Sequence, residues 1–212
     1  MYVGDYMTPN PITISKKTGI FEALQIMKNY KIRQLPVVSE GKLAGLVTEK
    51  DLLTVSPSTT TSLSVHELSY LLAKMTVAEV MVKNPLTATP KTTIDEAAMI
   101  MREHKVNSLP VVDGDKLVGI ITVTDIFDAL IKFFGYGKTG TRLVITSREG
   151  PGLLCLITSI IKETGAPVSS IICDVKEDET AQVMLRLKAS DPKDLMDALK
   201  GAGIEVTWVK LA

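Results

Sequence analysis

An excess of charge of either sign is missing from this chain of 212 residues: 24 Lys and Arg balance 24 Asp and Glu. A net charge of zero supplies no field to hold a polyanion or an acidic membrane, so neither nucleic acid nor a membrane is an expected partner. Cysteine is scarce as well. Cys155 and Cys173 are too few and too far apart for a disulfide scaffold or a C-x-x-C metal or redox pair, which fits a cytoplasmic protein. Long apolar runs are also lacking, since the best candidate, Gly152 to Ile161, reaches about half the length of a membrane helix and includes a Thr and a Ser. Asp5 sits near the N-terminus and no basic leader precedes an apolar segment, so no targeting segment is expected. What remains is an ordinary packing composition, 45% hydrophobic and 23% charged, in a length that accommodates one large or two small domains.

The informative feature is an internal repeat. Met7 to Leu52 aligns on Met81 to Ile126 without a gap at a constant offset of 74 residues, and nearly half the paired positions are identical. Matched pairs include Asn10-Pro11 with Asn84-Pro85, Leu35-Pro36-Val37-Val38 with Leu109-Pro110-Val111-Val112, and Gly45, Thr48 and Asp51 with Gly119, Thr122 and Asp125. Two copies suggest a pseudo-symmetric pair in which each unit covers the other's apolar face. Ile20, Ala23, Leu24 and Met27, repeated as Ile94, Ala97, Ala98 and Met101, have the spacing of one helix face. Two β-branched runs follow in each copy, joined by Ser39-Glu40-Gly41 in the first and Asp113-Gly114-Asp115 in the second, so each copy reads strand, helix, hairpin, helix.

Between the copies, the Ser- and Thr-rich stretch Thr54 to Ser64 around Pro57 marks a loop. Ser64-Val65-His66-Glu67 then has capping-box spacing, ahead of an apolar stripe of Leu68, Leu71, Leu72 and Met75. The glycine-dense Gly135 to Gly140 marks a second break. The division expected is therefore a repeat pair over 1–134, with copies at about 7–53 and 76–134 and a structured linker at 54–75, then a short linker over 135–140 and a second domain over 141–212. In that second domain Leu143 to Thr146 reads as a strand, and Gly150-Pro151-Gly152 turns into a helix that buries Leu153, Leu156, Ile157, Ile160 and Ile161. Val168 to Val175 and Ala181 to Leu187 form a hairpin across Lys176 to Glu179. Asp191-Pro192 caps a helix with Leu195, Ala198, Leu199 and Ala202 inward, and Ile204 to Val209 closes as a strand. The order βαββαβ predicts a ferredoxin-like arrangement, and the whole chain an α/β (α+β) fold.

The sharpest constellation is Gly45-Leu46-Val47-Thr48-Glu49-Lys50-Asp51 and its copy Gly119-Ile120-Ile121-Thr122-Val123-Thr124-Asp125, each a strand running into a helix N-terminus. A Thr N-cap with an acid three residues on is also plain helix capping, worth about 1 kcal/mol. Its duplication points further. A helix N-terminus offers N–H groups to a phosphate, the Thr hydroxyl can donate to the same oxygens, and a carboxylate nearby can accept both hydroxyls of a ribose. Phosphate and sugar together describe a nucleotide.

These residues resemble the paired cystathionine-β-synthase-type (CBS) domains over Met7 to about Leu130, on the twice-occurring G-h-h-T-x-x-D signature after an h-P-h-h run. The resemblance implies βαββα units that bind adenosine nucleotides between them. It places ribose contacts on Asp51 and Asp125 and phosphate contacts on Thr48 and Thr122. Pocket walls fall on Thr13, Ile14, Arg33, Gln34 and Pro36 in the first copy and on Thr87, Ala88, Asn107, Ser108 and Pro110 in the second. Lys31, Arg33 and Lys50 bring positive charge to the first copy, whereas Asn107 and Thr124 are neutral in the second, so two unequal sites are expected. Arg142 to Val209 resembles an ACT domain on the Glu149-Gly150-Pro151-Gly152-Leu153 turn. Such domains commonly sense amino acids at a dimer interface, but Ala166-Pro167-Val168-Ser169 stands where amino-acid-binding members often carry an Asn. The order of the parts, with the Ser56-Pro57-Ser58 and Leu68-Ser69-Tyr70-Leu71-Leu72 insert, resembles the acetoin utilization protein (AcuB) family.

Other features read as structural. Gly137-Lys138-Thr139 mimics the end of a P-loop, but Lys132 stands where that motif needs Gly. His66 and His104 lack partners at ligand spacing, and the two cysteines read as small buried hydrophobes. No nucleophile, base and orienting group assemble in the pattern, so a non-enzyme is expected. The leading expectation is a regulatory sensor of AMP, ADP or ATP, with NAD or S-adenosylmethionine as further ligands, that needs no cofactor and forms a homodimer. An oligomerisation module with vestigial pockets is the alternative.

Overall fold

The computed structural model describes residues 1–55, 75–135, 139–188 and 191–211. The expected loop around Pro57, the capping box at Ser64 to Glu67 with His66, and the stripe Leu68, Leu71 and Leu72 lie outside these residues, as do Gly137 and Lys138. The chain divides into two units, Met1–Phe127 and Asp128–Ala212.

The two copies of the repeat fold alike. The first contains β1 (Thr8–Pro9), β2 (Ile14–Ser15), α1 (Ile20–Tyr30), β3 (Gln34–Ser39), β4 (Lys42–Thr48) and α2 (Glu49–Thr54). The second contains β5 (Val82–Lys83), α3 (Ile94–His104), β6 (Ser108–Asp113), β7 (Lys116–Thr122) and α4 (Val123–Phe133), which runs across the division between units. A single parallel bridge between Ala88 and Val111 stands where β2 pairs with β3 in the first copy. Ile20, Ala23 and Met27 are buried on α1, and Ile94, Ala97 and Met101 on α3, as their spacing requires. The β3–β4 hairpin closes through Glu40 and Gly41, both at positive φ, the backbone that a two-residue hairpin turn needs.

The copies exchange their leading segments. β1 pairs with β7, so Thr8 lies opposite Ile120 and Pro9 opposite Gly119; β5 pairs with β4, with Val82 opposite Leu46 and Lys83 opposite Gly45. Val3 and Gly4 donate their amides to the carbonyls of Thr92 and Pro90, while Val77 and Ala78 donate to those of Thr18 and Lys16. Val77 and Met81 accordingly pack in the core of the first copy with Leu35, Val37, Val47 and Leu52. The exchange explains the repeated glycines. A Cβ on Gly45 would lie 2.6 Å from Met81 Sδ and 2.9 Å from the Val82 carbonyl oxygen, and one on Gly119 would collide with Met7 Sδ, so neither strand tolerates a side chain where the exchanged segment crosses.

The second unit has the order βαββαβ: β8 (Thr141–Arg148), α5 (Leu153–Thr164), β9 (Val168–Val175), β10 (Thr180–Leu187), α6 (Lys193–Gly201) and β11 (Glu205–Leu211). Its antiparallel sheet runs β11-β8-β10-β9, which is compatible with the expected ferredoxin-like arrangement. Leu143, Ile145, Val183 and Leu185 from the sheet meet Ile157, Ile160, Leu195 and Leu199 from the helices. Several expectations fail in detail. Leu156 is 44% exposed because the buried stripe is centred on Ile157 and Ile160 and leaves it on the flank. Ala202 is exposed because α6 ends at Gly201. Neither cysteine is buried: Cys155 lies two residues before Ile157, on the far side of α5, and Cys173 lies on β9, which among the described residues pairs on one side only.

Candidate functional site

Each β-strand-to-helix corner is built around a Thr and an Asp. Thr48 is the N-cap of α2. Its amide donates to Asp51 Oδ2 at 2.9 Å and its hydroxyl to the same oxygen at 2.8 Å, while the Asp51 amide donates back to Thr48 Oγ1 at 3.3 Å. The second corner repeats this: the Thr122 amide and hydroxyl reach Asp125 Oδ2 at 2.7 and 2.8 Å, and the Asp125 amide reaches Thr122 Oγ1 at 3.3 Å. The reciprocal box satisfies helix-end donors that otherwise have no partner. The amides of Glu49 and Val123 are also engaged, by the carbonyls of Arg33 and Asn107 at 2.8 and 3.0 Å. Among the described residues, this leaves the Lys50 and Thr124 amides and one carboxylate oxygen of each Asp, Oδ1, without a protein partner.

The sequence-predicted residues gather around these corners in strand register. Gln34 lies opposite Thr48, and Ser108 opposite Thr122. Ile14 pairs in parallel with Val37, which sets Thr13 beside Pro36; the Ala88–Val111 bridge sets Thr87 beside Pro110 in the same way. Thr13, Thr87, Arg33 and Asn107 are exposed, whereas Pro36 and Pro110 are buried. Ile14 and Ala88 are 5% and 3% exposed, so their side chains serve the core, and the Ala88 amide and carbonyl are bonded to the Pro110 carbonyl and the Val112 amide. Gln34 and Ser108, equivalent positions in the two copies, bond to each other: Ser108 Oγ donates to Gln34 Oε1 at 2.5 Å.

A cleft of about 470 Å³ opens beside the first corner, lined by Leu24, Met27, Lys28, Lys31, Ile32, Arg33 and Glu49. Of the expected wall residues it includes Arg33. Lys31 was legible from its charge near the motif, but Lys28 and Glu49 were not, since the register between the end of α1 and the start of α2 is set by packing. In the second copy the positions of Lys28, Lys31, Arg33 and Glu49 hold Arg102, Lys105, Asn107 and Val123, so three cations and an acid are replaced by two cations. His104 is exposed at the end of α3. Among the described residues no group of three or more His, Cys, Asp or Glu side chains gathers to hold a metal ion, and no helix is long and apolar enough to cross a membrane.

Comparison with known proteins bears on the first unit. In sequence, residues 3–58 and 77–132 each match the family model of the CBS domain. The inosine-5'-monophosphate dehydrogenase of Aquifex aeolicus is 39% identical over 57% of this chain, and the chain spans about a fifth of that enzyme, 22%. The CBS domain-containing protein YhcV of Bacillus subtilis is 30% identical over 58% of this chain and 81% of its own length. Among solved structures, CBSX2 in complex with AMP is 32% identical with a TM-score of 0.52, covering 62% of this chain and 96% of CBSX2, a protein of Arabidopsis thaliana. The CBS domain pair of protein MJ0100, solved with 5'-methylthioadenosine and S-adenosyl-L-methionine, is 30% identical with a TM-score of 0.51, covering 61% of this chain and 95% of its own. A Vibrio cholerae protein described as an acetoin utilization protein (AcuB) is 32% identical with a TM-score of 0.54, covering 64% of this chain and 93% of its own. With two complete motif corners, reciprocal strand exchange and a family match on both copies, the chain belongs to the CBS domain family.

Proposed function

We propose that this protein is a non-catalytic regulatory sensor that binds an adenosine nucleotide between its two CBS copies. The observation that carries the reading is the duplicated corner, where capping fixes each Asp through Oδ2 and leaves Oδ1 to accept a hydroxyl. A carboxylate already oriented by the chain binds a ribose diol without first being ordered, which favours affinity. The solved relatives that hold AMP, or 5'-methylthioadenosine and S-adenosyl-L-methionine, support an adenosyl ligand. AMP or ATP is the leading candidate, with NAD and S-adenosylmethionine as further ligands. Lys28, Lys31 and Arg33 around the first cleft favour a phosphate tail there.

Binding would act by favouring one of two packings of the copies, a differential affinity that the C-terminal unit or a partner then reads. We assign that unit to the ACT type on its βαββαβ order and its Gly150-Pro151-Gly152 turn into α5. The Ala166-Pro167-Val168-Ser169 segment argues against an amino acid there. A role in acetoin utilization, a homodimer and a cytoplasmic location complete the proposal. The AcuB likeness supports the first, and the scarce, widely spaced cysteines support the last.

A second reading, an oligomerisation module with vestigial pockets, draws on the corner donors already engaged within the chain. A thermal-shift panel of AMP, ADP, ATP, NAD and S-adenosylmethionine, followed by amino acids, separates the two. A nucleotide-dependent rise in Tm supports the sensor. No shift with any of them, together with a light-scattering mass that nucleotide leaves unchanged, favours the module.

A further inference from the structure

We infer that the two corners are coupled through the Gln34–Ser108 hydrogen bond, so that filling one raises the affinity of the other. The inference rests on the nucleotide reading above and extends it to regulation. Gln34 shares a face with Thr48 across the β3–β4 ladder, and Ser108 shares one with Thr122 across β6–β7. The Ser108 hydroxyl donates to the Gln34 amide oxygen at 2.5 Å. This bond joins the side chains beside the two corners, and the strands it links, β3 and β6, are not neighbours in the sheet.

A guest at the first corner that draws on Gln34 Oε1 takes the acceptor away from Ser108. Ser108 is 3% exposed, so water does not replace that acceptor, and a buried hydroxyl without one is unfavourable. The first ligand therefore binds against an internal bond. Once that bond is open, Ser108 is free to turn toward a guest beside Thr122, and the second ligand meets no such opposition. The same holds if the second corner fills first, because reciprocity follows from the shared bond. The expected coupling is positive and in the range of roughly 5- to 150-fold between the two binding events.

Titration calorimetry of the full chain with AMP, and separately with S-adenosylmethionine, tests this. Ser108→Ala removes the donor and Gln34→Met removes the acceptor while keeping side-chain length; circular dichroism melting shows that each variant is folded. The expected result is cooperative two-site binding in the wild type and independent sites in both variants, with the first event tighter in Ser108→Ala than in the wild type. Independent sites in the wild type, or cooperativity that survives both substitutions, overturns the coupling while leaving the sensor intact. If neither compound binds the wild type, or binding is unaffected by Asp51→Asn and Asp125→Asn, the nucleotide reading fails and the coupling fails with it.

Discussion

At Asp51 and Asp125 the two carboxylate oxygens have different duties: Oδ2 holds the helix cap, and Oδ1 has no partner among the described residues. Alanine at either position therefore removes both the cap and the sugar acceptor, and mixes a stability loss of about 1 kcal/mol into any binding result. Asn retains an oxygen for the cap but loses the charge. Asp51→Asn and Asp125→Asn are expected to lower AMP affinity at their own corner by at least about tenfold, the worth of a charged hydrogen bond, with Tm nearly unchanged. Calorimetry alongside melting checks both. Cys173 illustrates a different residue-scale effect. Its thiol is pushed above the usual cysteine value by desolvation, then by the nearby carboxylates of Glu149 and Asp174. Less of it is thiolate at neutral pH, so iodoacetamide should alkylate Cys173 more slowly than it does glutathione, as followed by mass spectrometry. A rate matching or exceeding that of glutathione would contradict the assignment.

Among the elements, the repeat allows each copy to serve as a control for the other. Helix α3 starts at Thr93, whose hydroxyl accepts from the Glu96 amide at 3.3 Å while Glu96 Oε2 accepts from the Thr93 amide at 2.9 Å. Helix α1 starts at Gly19 with nearly the same backbone, φ −71° and ψ 155° against −77° and 157°, but without a side-chain cap. A Cβ at Gly19 meets nothing within 4 Å, and Glu22 already stands three residues on. Gly19→Thr is therefore expected to stabilise the protein by about 0.5–1 kcal/mol, by adding the cap and restricting the unfolded chain. A urea midpoint no higher than the wild type's would refute this. Gly45→Ala carries the opposite expectation. The Val82 carbonyl oxygen 2.9 Å from the new Cβ is backbone and cannot swing aside, so the exchanged strand must shift at a cost of about 1–3 kcal/mol.

At the scale of the repeat pair, the one ion pair between copies among the described residues is Lys42 with Asp115, 2.6 Å apart and highly exposed, at 66% and 77%. The hydrogen bond and charge of Lys42 hold the Asp115 carboxyl below its ordinary value, and Asp115 holds the Lys42 ammonium above its own. The stabilisation from Asp115 is therefore present above the unfolded carboxylate value near 3.8 and lost as pH falls through the lower folded one. That from Lys42 is present below 10.5 and lost as pH rises through the raised folded value. Both groups sit in water, so the effect is small and salt-sensitive. Asp115→Asn should lower Tm slightly across the neutral range and not at all at strongly acid pH. A full-sized loss in acid would show that the pair contributes by something other than charge.

The βαββα copies, their helix faces, the hairpins and the Thr-x-x-Asp corners were legible in the sequence because each is set by local periodicity, turn chemistry or capping, and the 74-residue offset repeats them. The βαββαβ order of the second unit was legible for the same reason. Tertiary structure alone decided which copy each leading segment joins, since Val3 to Pro9 and Val77 to Lys83 are too short to specify a partner and pair wherever a glycine lets them approach. It also decided that Gln34 and Ser108 meet, that Lys28 and Glu49 share a cleft, and that Cys173 is exposed. Each of these depends on which strands lie side by side or at an edge, a long-range outcome that no local pattern encodes.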